Sequence, residues 1–396
     1  MAARKPELVP EADAEPATTG DTTATVGPPE AEAGGTLTIG LGAIEANWRA
    51  LSRRALPSEC SAVIKADGYG CGIEPVATTL THAGCNTFFV ADLHEARRVR
   101  AVAREATIYV LNGLMPGTAS VYADIHARPV IGSLAELAEW DAFASAQEWR
   151  GGAALHVDTG MNRLGISAGE AAAVASRIRA ENHGITLLMS HLACSELPEH
   201  PLNNRQIKLF REVRILYRGI ASSLANSSGI FLGQAAHCDM VRPGAALFGV
   251  NPTPGRSNPM RAAVELCGRI VQVRTVTRGE TVGYDAGWTA KRAMKLAVVA
   301  VGYADGYLRA AGTSDEKSGA DAIIGGKRCP LAGRVSMDLL TVDVTDLPDG
   351  APRRGEMATL IGDEITVDDL AIAGNTIGYE VLTSLGRRYH RVYRSG

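Results

Sequence analysis

The sequence predicts a two-domain α/β protein: a TIM-like (β/α)8 barrel over residues 36–262, then a mainly β domain over residues 263–396, preceded by a disordered tail at 1–35. Three observations lead there. From about residue 40 to about residue 260, apolar strand-like runs alternate with Ala/Glu/Arg-rich amphipathic stretches, and eight such runs favour a closed barrel over an open doubly wound sheet. The dinucleotide fingerprint is missing from the first strand–helix turn, which lowers the open-sheet alternative. After Pro252-Thr253-Pro254-Gly255 the pattern changes to short strands separated by Gly, Pro and Asp turns.

Residues 1–35 hold Pro, Ala, Glu, Thr and Gly with almost no large apolar side chain, too little buried surface to offset the entropy of ordering them. No apolar stretch follows Arg4 and Lys5, so no secretory signal is expected. Order is expected from a short alternating strand at 37–41, with residues 36–46 packing on the second domain, and 42–51 carries apolar positions at helical spacing. Barrel strands are expected at 61–65, 87–91, 107–111, 129–131, 154–158, 187–190, 224–226 and 240–242, with helices including 95–104, 133–146, 168–180 and 205–220. Second-domain strands are expected at 264–274, 296–301, 341–344 and 357–361, with a short helix or two among them.

A hydrophobic share of 46% and a charged share of 21% are ordinary for a globular protein. The net charge of −3, with no basic stripe, offers no case for nucleic acid. No apolar stretch approaches the roughly 18 residues of a membrane span. The seven cysteines (60, 71, 85, 194, 238, 267 and 329) are scattered, odd in number and without a CxxC pair. That points to a reducing, cytoplasmic setting and against a disulfide framework or a metal site.

The most informative string is Ala62-Val63-Ile64-Lys65-Ala66-Asp67-Gly68-Tyr69-Gly70-Cys71-Gly72. A short strand ending in Lys65 delivers an amine to a pocket rim, and three glycines let the backbone fold around whatever it holds. A buried ammonium is unfavourable, whereas a deprotonated lysine can form a Schiff base. Strand, lysine and loop alone also describe a rim lysine in a surface turn.

The whole string resembles the pyridoxal-phosphate lysine motif of the alanine racemase family, and the resemblance runs from about residue 37 to the end of the chain. It implies pyridoxal 5'-phosphate held on Lys65, with Tyr69 also toward the cofactor. His156-Val157-Asp158-Thr159-Gly160-Met161-Asn162-Arg163 resembles the family segment whose arginine reaches the cofactor's phenolic oxygen and the substrate carboxylate. Arginine suits that role because its planar fork pairs with a carboxylate and stays charged. Ser190-His191 resembles the position of a histidine beside the pyridine ring, although a histidine at a strand end is often structural. Asn226-Ser227-Ser228-Gly229 resembles the segment that holds the phosphate. In Val241-Arg242-Pro243-Gly244-Ala245, Arg242 corresponds to the arginine against the pyridine nitrogen and Gly244 and Ala245 to amides near the phosphate.

In the second domain, the segments around Tyr284, Tyr303, Met337 and Tyr379 resemble, in that order, the family's catalytic tyrosine, its substrate-entry segment, the amide facing the substrate carboxylate and the phosphate-binding tyrosine. The resemblance implies a racemase acting on alanine with Lys65 and Tyr284 as its two bases, Tyr284 coming from the partner of a homodimer with shared active sites. Bases on opposite faces of Cα are what inversion requires.

The sequence departs from the family at His156, where a lysine carried as a carbamate usually orients the arginine; here neutral imidazole or a bound anion takes that role. Asn162 replaces a glycine, Pro243 a bulkier apolar residue and Cys71 a histidine. A decarboxylase on the same barrel would carry a reactive cysteine beside an acidic residue, a context absent at Cys267 and Cys329. A non-catalytic cofactor-homeostasis protein would lack the second domain. A broad-specificity racemase of the same fold is the closest rival, and those are typically exported.

Overall fold

A computed structural model describes residues 24–181 and 184–395. Nine short parallel strands form the first sheet's ring: Glu59–Cys60, Ala62–Val63, Thr87–Val90, Thr107–Val110, Ala127–Ile131, Ala153–Asp158, Ile185–Met189, Ala221–Ser223 and Met240–Val241. The first two are one barrel position broken at Ser61. Glu59 pairs with Met240 of the last strand and Ala62 with Phe88 of the next, so the ring closes through this break.

Alternation along the strands divides two cores. Val63, Phe89, Tyr109, Val130, Ala154, Leu187, Met189 and Met240 fill the barrel interior, whereas neighbours such as Phe88 and Ile108 face the surrounding helices. Helix Leu41–Ala55 buries Leu41, Ile44, Trp48 and Leu51 at helical spacing and stops before Pro57, which disfavours helix at Leu56. The buried Asn47 amide donates to the carbonyls of Leu247 and Arg261 and accepts from the Arg261 amide, fastening that helix to the chain leaving the barrel.

The second domain is built on the long strand Val264–Val276, which pairs antiparallel with Met294–Val299, Met357–Ile361 and the early strand Gly35–Gly40. That early strand therefore belongs to the second domain in space, while the helix after it packs on the barrel side. His390–Arg394 returns parallel to Gly35–Gly40.

Several expectations shift. Residues 24–35 are ordered, not a tail: Ala24–Val26 pairs antiparallel with Arg391–Tyr393, and His390 Nδ1 lies 2.9 Å from the Pro28 carbonyl oxygen. Backbone pairing supplies what composition cannot show. The expected disorder of 1–23 lies outside the described residues. The strand expected at 224–226 is Ala221–Ser223, fixed by the pairing of Leu187 with Ala221, and 224–226 form the loop beyond it. The helix expected at 205–220 runs Pro201–Leu216, opened by proline in its first turn. Helix Ile73–Ala83 is not among the expected helices, whereas Val367–Gly374 and Gly378–Ser384 are the short helices expected in the second domain.

Candidate active site

The loops leaving the C-terminal ends of the barrel strands enclose a cavity of about 840 Å³. Lys65, Tyr69, Arg163, His191, Asn226, Ser227, Arg242, Gly244, Ala245 and Tyr379 all line it, together with His156.

Lys65 follows its strand directly, and the Ile64 amide still bonds the Phe89 carbonyl at 2.9 Å. The chain then makes a left-handed turn: Ala66, Asp67, Gly68 and Tyr69 have φ of 55, 55, 65 and 53°. Only Gly68 adopts this freely; for each of the others the conformation costs about 1–2 kcal/mol. Surrounding bonds hold it. Glu95 accepts from the amides of Asp67 (2.9 Å) and Ala91 (2.8 Å), Asp67 accepts from the Ile73 amide, and Arg98 pairs with both Asp67 (2.6 Å) and Glu74 (2.5 Å). Burial, then the nearby Arg163 charge, pulls the Lys65 pKa below its ordinary value, with Glu95 opposing. The amine is thereby shifted toward its nucleophilic form.

Arg242 is buried at the cavity floor without a carboxylate partner. It donates to Ser223 Oγ at 2.5 Å and the Ser190 carbonyl at 2.6 Å, and lies 3.4 Å from His191 Nδ1. Burial lowers its pKa to about 10, so it remains a cation near neutrality. Burial first, and then the Arg242 charge, keeps His191 neutral, well below the ordinary imidazole value. His156 falls to about 4, through burial first and then Arg242 and Arg163. Imidazole at this position is neutral near pH 7.

One corner collects hydroxyls and amides. Ser227 Oγ accepts from the amides of Gly244 (3.0 Å) and Ala246 (3.2 Å), which leaves its own proton for a ligand. A Cβ on Gly244 would stand 2.4 Å from the Tyr69 hydroxyl, so only glycine lets this backbone approach. Burial raises the Tyr69 pKa and keeps the phenol a donor, its ring stacked 4.9 Å from Phe248. The Tyr379 hydroxyl donates to Glu196 at 2.7 Å. Asn226 does not offer its oxygen to the cavity: Oδ1 accepts from Ser195 Oγ and the Gly229 amide, shaping the loop. Lys65, Arg163 and Arg242 outnumber the Glu196 and Glu380 carboxylates in the lining, and with the neutral donors they suit an anionic ligand with a phosphate-like end.

Arg163 stands exposed at the mouth. The Asp158 carboxylate gathers the amides of Gly160, Met161 and Asn162, and Asn162 takes φ 55°, a conformation asparagine tolerates where glycine was expected. Glu95, in the first turn of helix Leu93–Val102, and Glu196, in a loop, both shape the site and were not singled out in the sequence; a lone carboxylate in either setting carries no signal there.

Tyr284, Tyr303 and Met337 are elsewhere. They lie on the second domain outside this cavity, 66%, 40% and 52% exposed. They share one face: the Tyr303 amide donates to the Ser336 carbonyl and the Ala304 amide to the Met337 carbonyl, and Gly283 abuts the Arg334 backbone. The structure thus divides the candidates into a cavity set and an exposed set.

Two family models match the chain: "Alanine racemase, N-terminal domain" over residues 39–252 and "Alanine racemase, C-terminal domain" over residues 263–393. The chain is 53% identical over 363 residues to an alanine racemase of Methylobacterium nodulans, covering 92% of this chain and 97% of that one. Relatives named biosynthetic (Agrobacterium fabrum) and catabolic (Mesorhizobium japonicum) alanine racemase match at 43% and 44% identity, covering 90% and 93% of this chain and 93% and 95% of theirs. Among solved structures, the alanine racemase of Bartonella henselae with covalently bound pyridoxal phosphate superposes with a TM-score of 0.86 at 36% identity, over 91% of this chain and 99% of that one.

Proposed function

This chain belongs to the alanine racemase family, and from that premise we propose that Lys65 and Tyr284 are the residues that exchange a proton with the substrate's Cα, Tyr284 entering the cavity of a second copy of the chain. The reaction is the interconversion of L-alanine and D-alanine, and the cofactor is pyridoxal 5'-phosphate. When bound, the cofactor withdraws electrons from Cα and makes its proton removable. The same reaction serves D-alanine supply for peptidoglycan and L-alanine catabolism.

The donor set fits such a group. Lys65 would anchor it; Ser227, Tyr379 and the Ala245 amide would hold its phosphate beside Gly244, whose own amide is given to Ser227 Oγ, and Tyr69 would donate beside them. Asn226 braces that loop, and His191 would flank the ring. Arg242 would serve the ring nitrogen and, being only a donor, would leave it unprotonated. Lys65, its pKa lowered, handles the proton on the D face. Tyr284 of the partner subunit handles the L face, Arg163 grips the substrate carboxylate, and Met337 and Tyr303 complete the entry from the partner.

The observation that carries the homodimer is the 66% exposure of Tyr284, away from its own chain's cavity. Mixing Lys65→Ala with Tyr284→Phe protein under subunit exchange restores activity, because a mixed dimer holds one intact site. Verified exchange without recovery sinks the shared site. Among the described residues no helix is long and apolar enough to cross a membrane, and all seven cysteines are free. With them goes the proposed cytoplasmic location.

A further inference from the structure

Two arginines three positions apart near the C-terminus reach in opposite directions. Arg391, 8% exposed, donates from Nη1 to the Gly70 carbonyl in the Lys65 turn at 2.7 Å, and from Nη2 to the Leu385 and Gly386 carbonyls, both at 3.0 Å. The Tyr393 hydroxyl, the Cys71 thiol and the Tyr389 phenol also lie near its guanidinium. Arg388 turns the other way: Nε pairs with Asp305 Oδ1 at 3.1 Å and Nη1 with Asp338 Oδ1 at 2.8 Å. Asp305 is buried and accepts from the Gly302 amide at 2.9 Å, and its own carbonyl accepts from the Gly386 amide at 2.8 Å. Asp305 and Asp338 each stand within two residues of Tyr303 or Met337.

The end of helix Gly378–Ser384 lies between these two sets. A Cβ on Gly70 would stand 2.4 Å from the Leu382 carbonyl oxygen, and one on Gly306 would stand 1.8 Å from that of Ser384. Both glycines have positive φ, 79° and 92°. Backbone meets backbone on both sides, with no side chain between to absorb a shift.

We propose that segment 384–391 ties the Lys65 turn to the face carrying Tyr303 and Met337, with Arg391 and Arg388 as the positioning residues at its two ends. Arg391 sets where the turn sits, Arg388 sets where the face sits, and both act through the same few residues. Given the shared site proposed above, one cavity is thereby tied mechanically to the surface its chain lends to the other.

Hydrogen exchange of the holoenzyme, read by mass spectrometry, tests this. The Gly70, Cys71 and Gly72 amides bond to the carbonyls of Ala66, Gly68 and Asp67 and report the turn; the Tyr303 and Ala304 amides report the face. Arg391→Met is expected to speed exchange about tenfold at the turn, the worth of a charge-assisted bond, and also at the face it does not touch. Arg388→Met is expected to do the reverse, and each change to lower kcat more than it raises KM. Arg391→Lys and Arg388→Lys, which keep the charge without the planar fork, give a weaker form of the same pattern and serve if the methionine variants fail to fold. The proposal is overturned if each substitution loosens only its own end, or if exchange rises evenly through the barrel strands. Exchange is read on the amides themselves and needs neither turnover nor complementation, so failure here is distinguishable from failure of subunit mixing.

Discussion

The Tyr379 hydroxyl gives its one proton to Glu196, 2.7 Å away on the same cavity wall. With Tyr379 in its proposed role at the phosphate, the carboxylate and the phosphate compete for that proton, and the negative charge of Glu196 opposes an anion beside it. Glu196→Gln is expected to tighten pyridoxal-phosphate binding about threefold to tenfold, the net value of one hydrogen bond. Cofactor titration followed by fluorescence measures it; equal or weaker binding would show that Glu196 turns away once the phosphate arrives.

Borohydride treatment of the purified enzyme should fix the cofactor on Lys65 and abolish the visible absorbance. Peptide mass spectrometry that finds the adduct on another lysine, or on none, removes Lys65 from the mechanism. The lowered pKa also implies that modification of Lys65 by a lysine reagent, in enzyme stripped of cofactor, outpaces that of the exposed lysines at pH values below the ordinary lysine range.

Tyr284→Phe should slow deuterium wash-in at Cα from L-alanine by more than about tenfold relative to D-alanine, since Lys65 still serves the other face. Equal loss from both enantiomers counts against Tyr284 as the L-side base.

His156 bears on stability as well as on substrate. With a folded pKa of about 4 against an ordinary 6.5, the unfolded chain binds a proton that the folded chain refuses throughout that window. The stabilisation is complete above about pH 6.5 and is lost as pH falls toward 4, about 3 kcal/mol in all. His156→Asn should therefore lose less stability between pH 7 and 4.5 than the parent; matching urea-denaturation curves at both values would refute the buried neutral imidazole. Near pH 7 no step in alanine KM is expected from this residue. His156→Ala should raise KM more than it lowers kcat if the ring orients Arg163. An unchanged KM means that it only fills space.

Strand period and the Lys65, Arg163 and Arg242 strings made the barrel and its candidate site legible, because Lys65 and Arg242 sit where an apolar strand run stops and Arg163 sits in the loop that follows one. What stayed hidden depends on distant partners. Ala24–Val26 is ordered only because Arg391–Tyr393 offers it a ladder. The left-handed run at 66–69 includes Ala66, whose identity gives no hint of positive φ, and it is held by Glu95, a helix away. Helices such as Gly378–Ser384 are too short for an amphipathic period to emerge. The separation of Tyr284 from Lys65 is likewise a property of the fold, since both strings read as site residues in one sequence.

The pairing of Ala24–Val26 with the last strand has a consequence for handling the protein. In the second-domain sheet, His390–Arg394 is flanked on one side by Gly35–Gly40 and on the other by this short segment alone. Without it, the outward N–H and C=O groups of the last strand would be an open template for strands of other molecules. A chain trimmed to the family's shared boundaries near residue 39 would also lose the central strand Gly35–Gly40. Trimming only to residue 27 instead bares an edge, so the first sign of damage would be turbidity at high concentration rather than lost turnover.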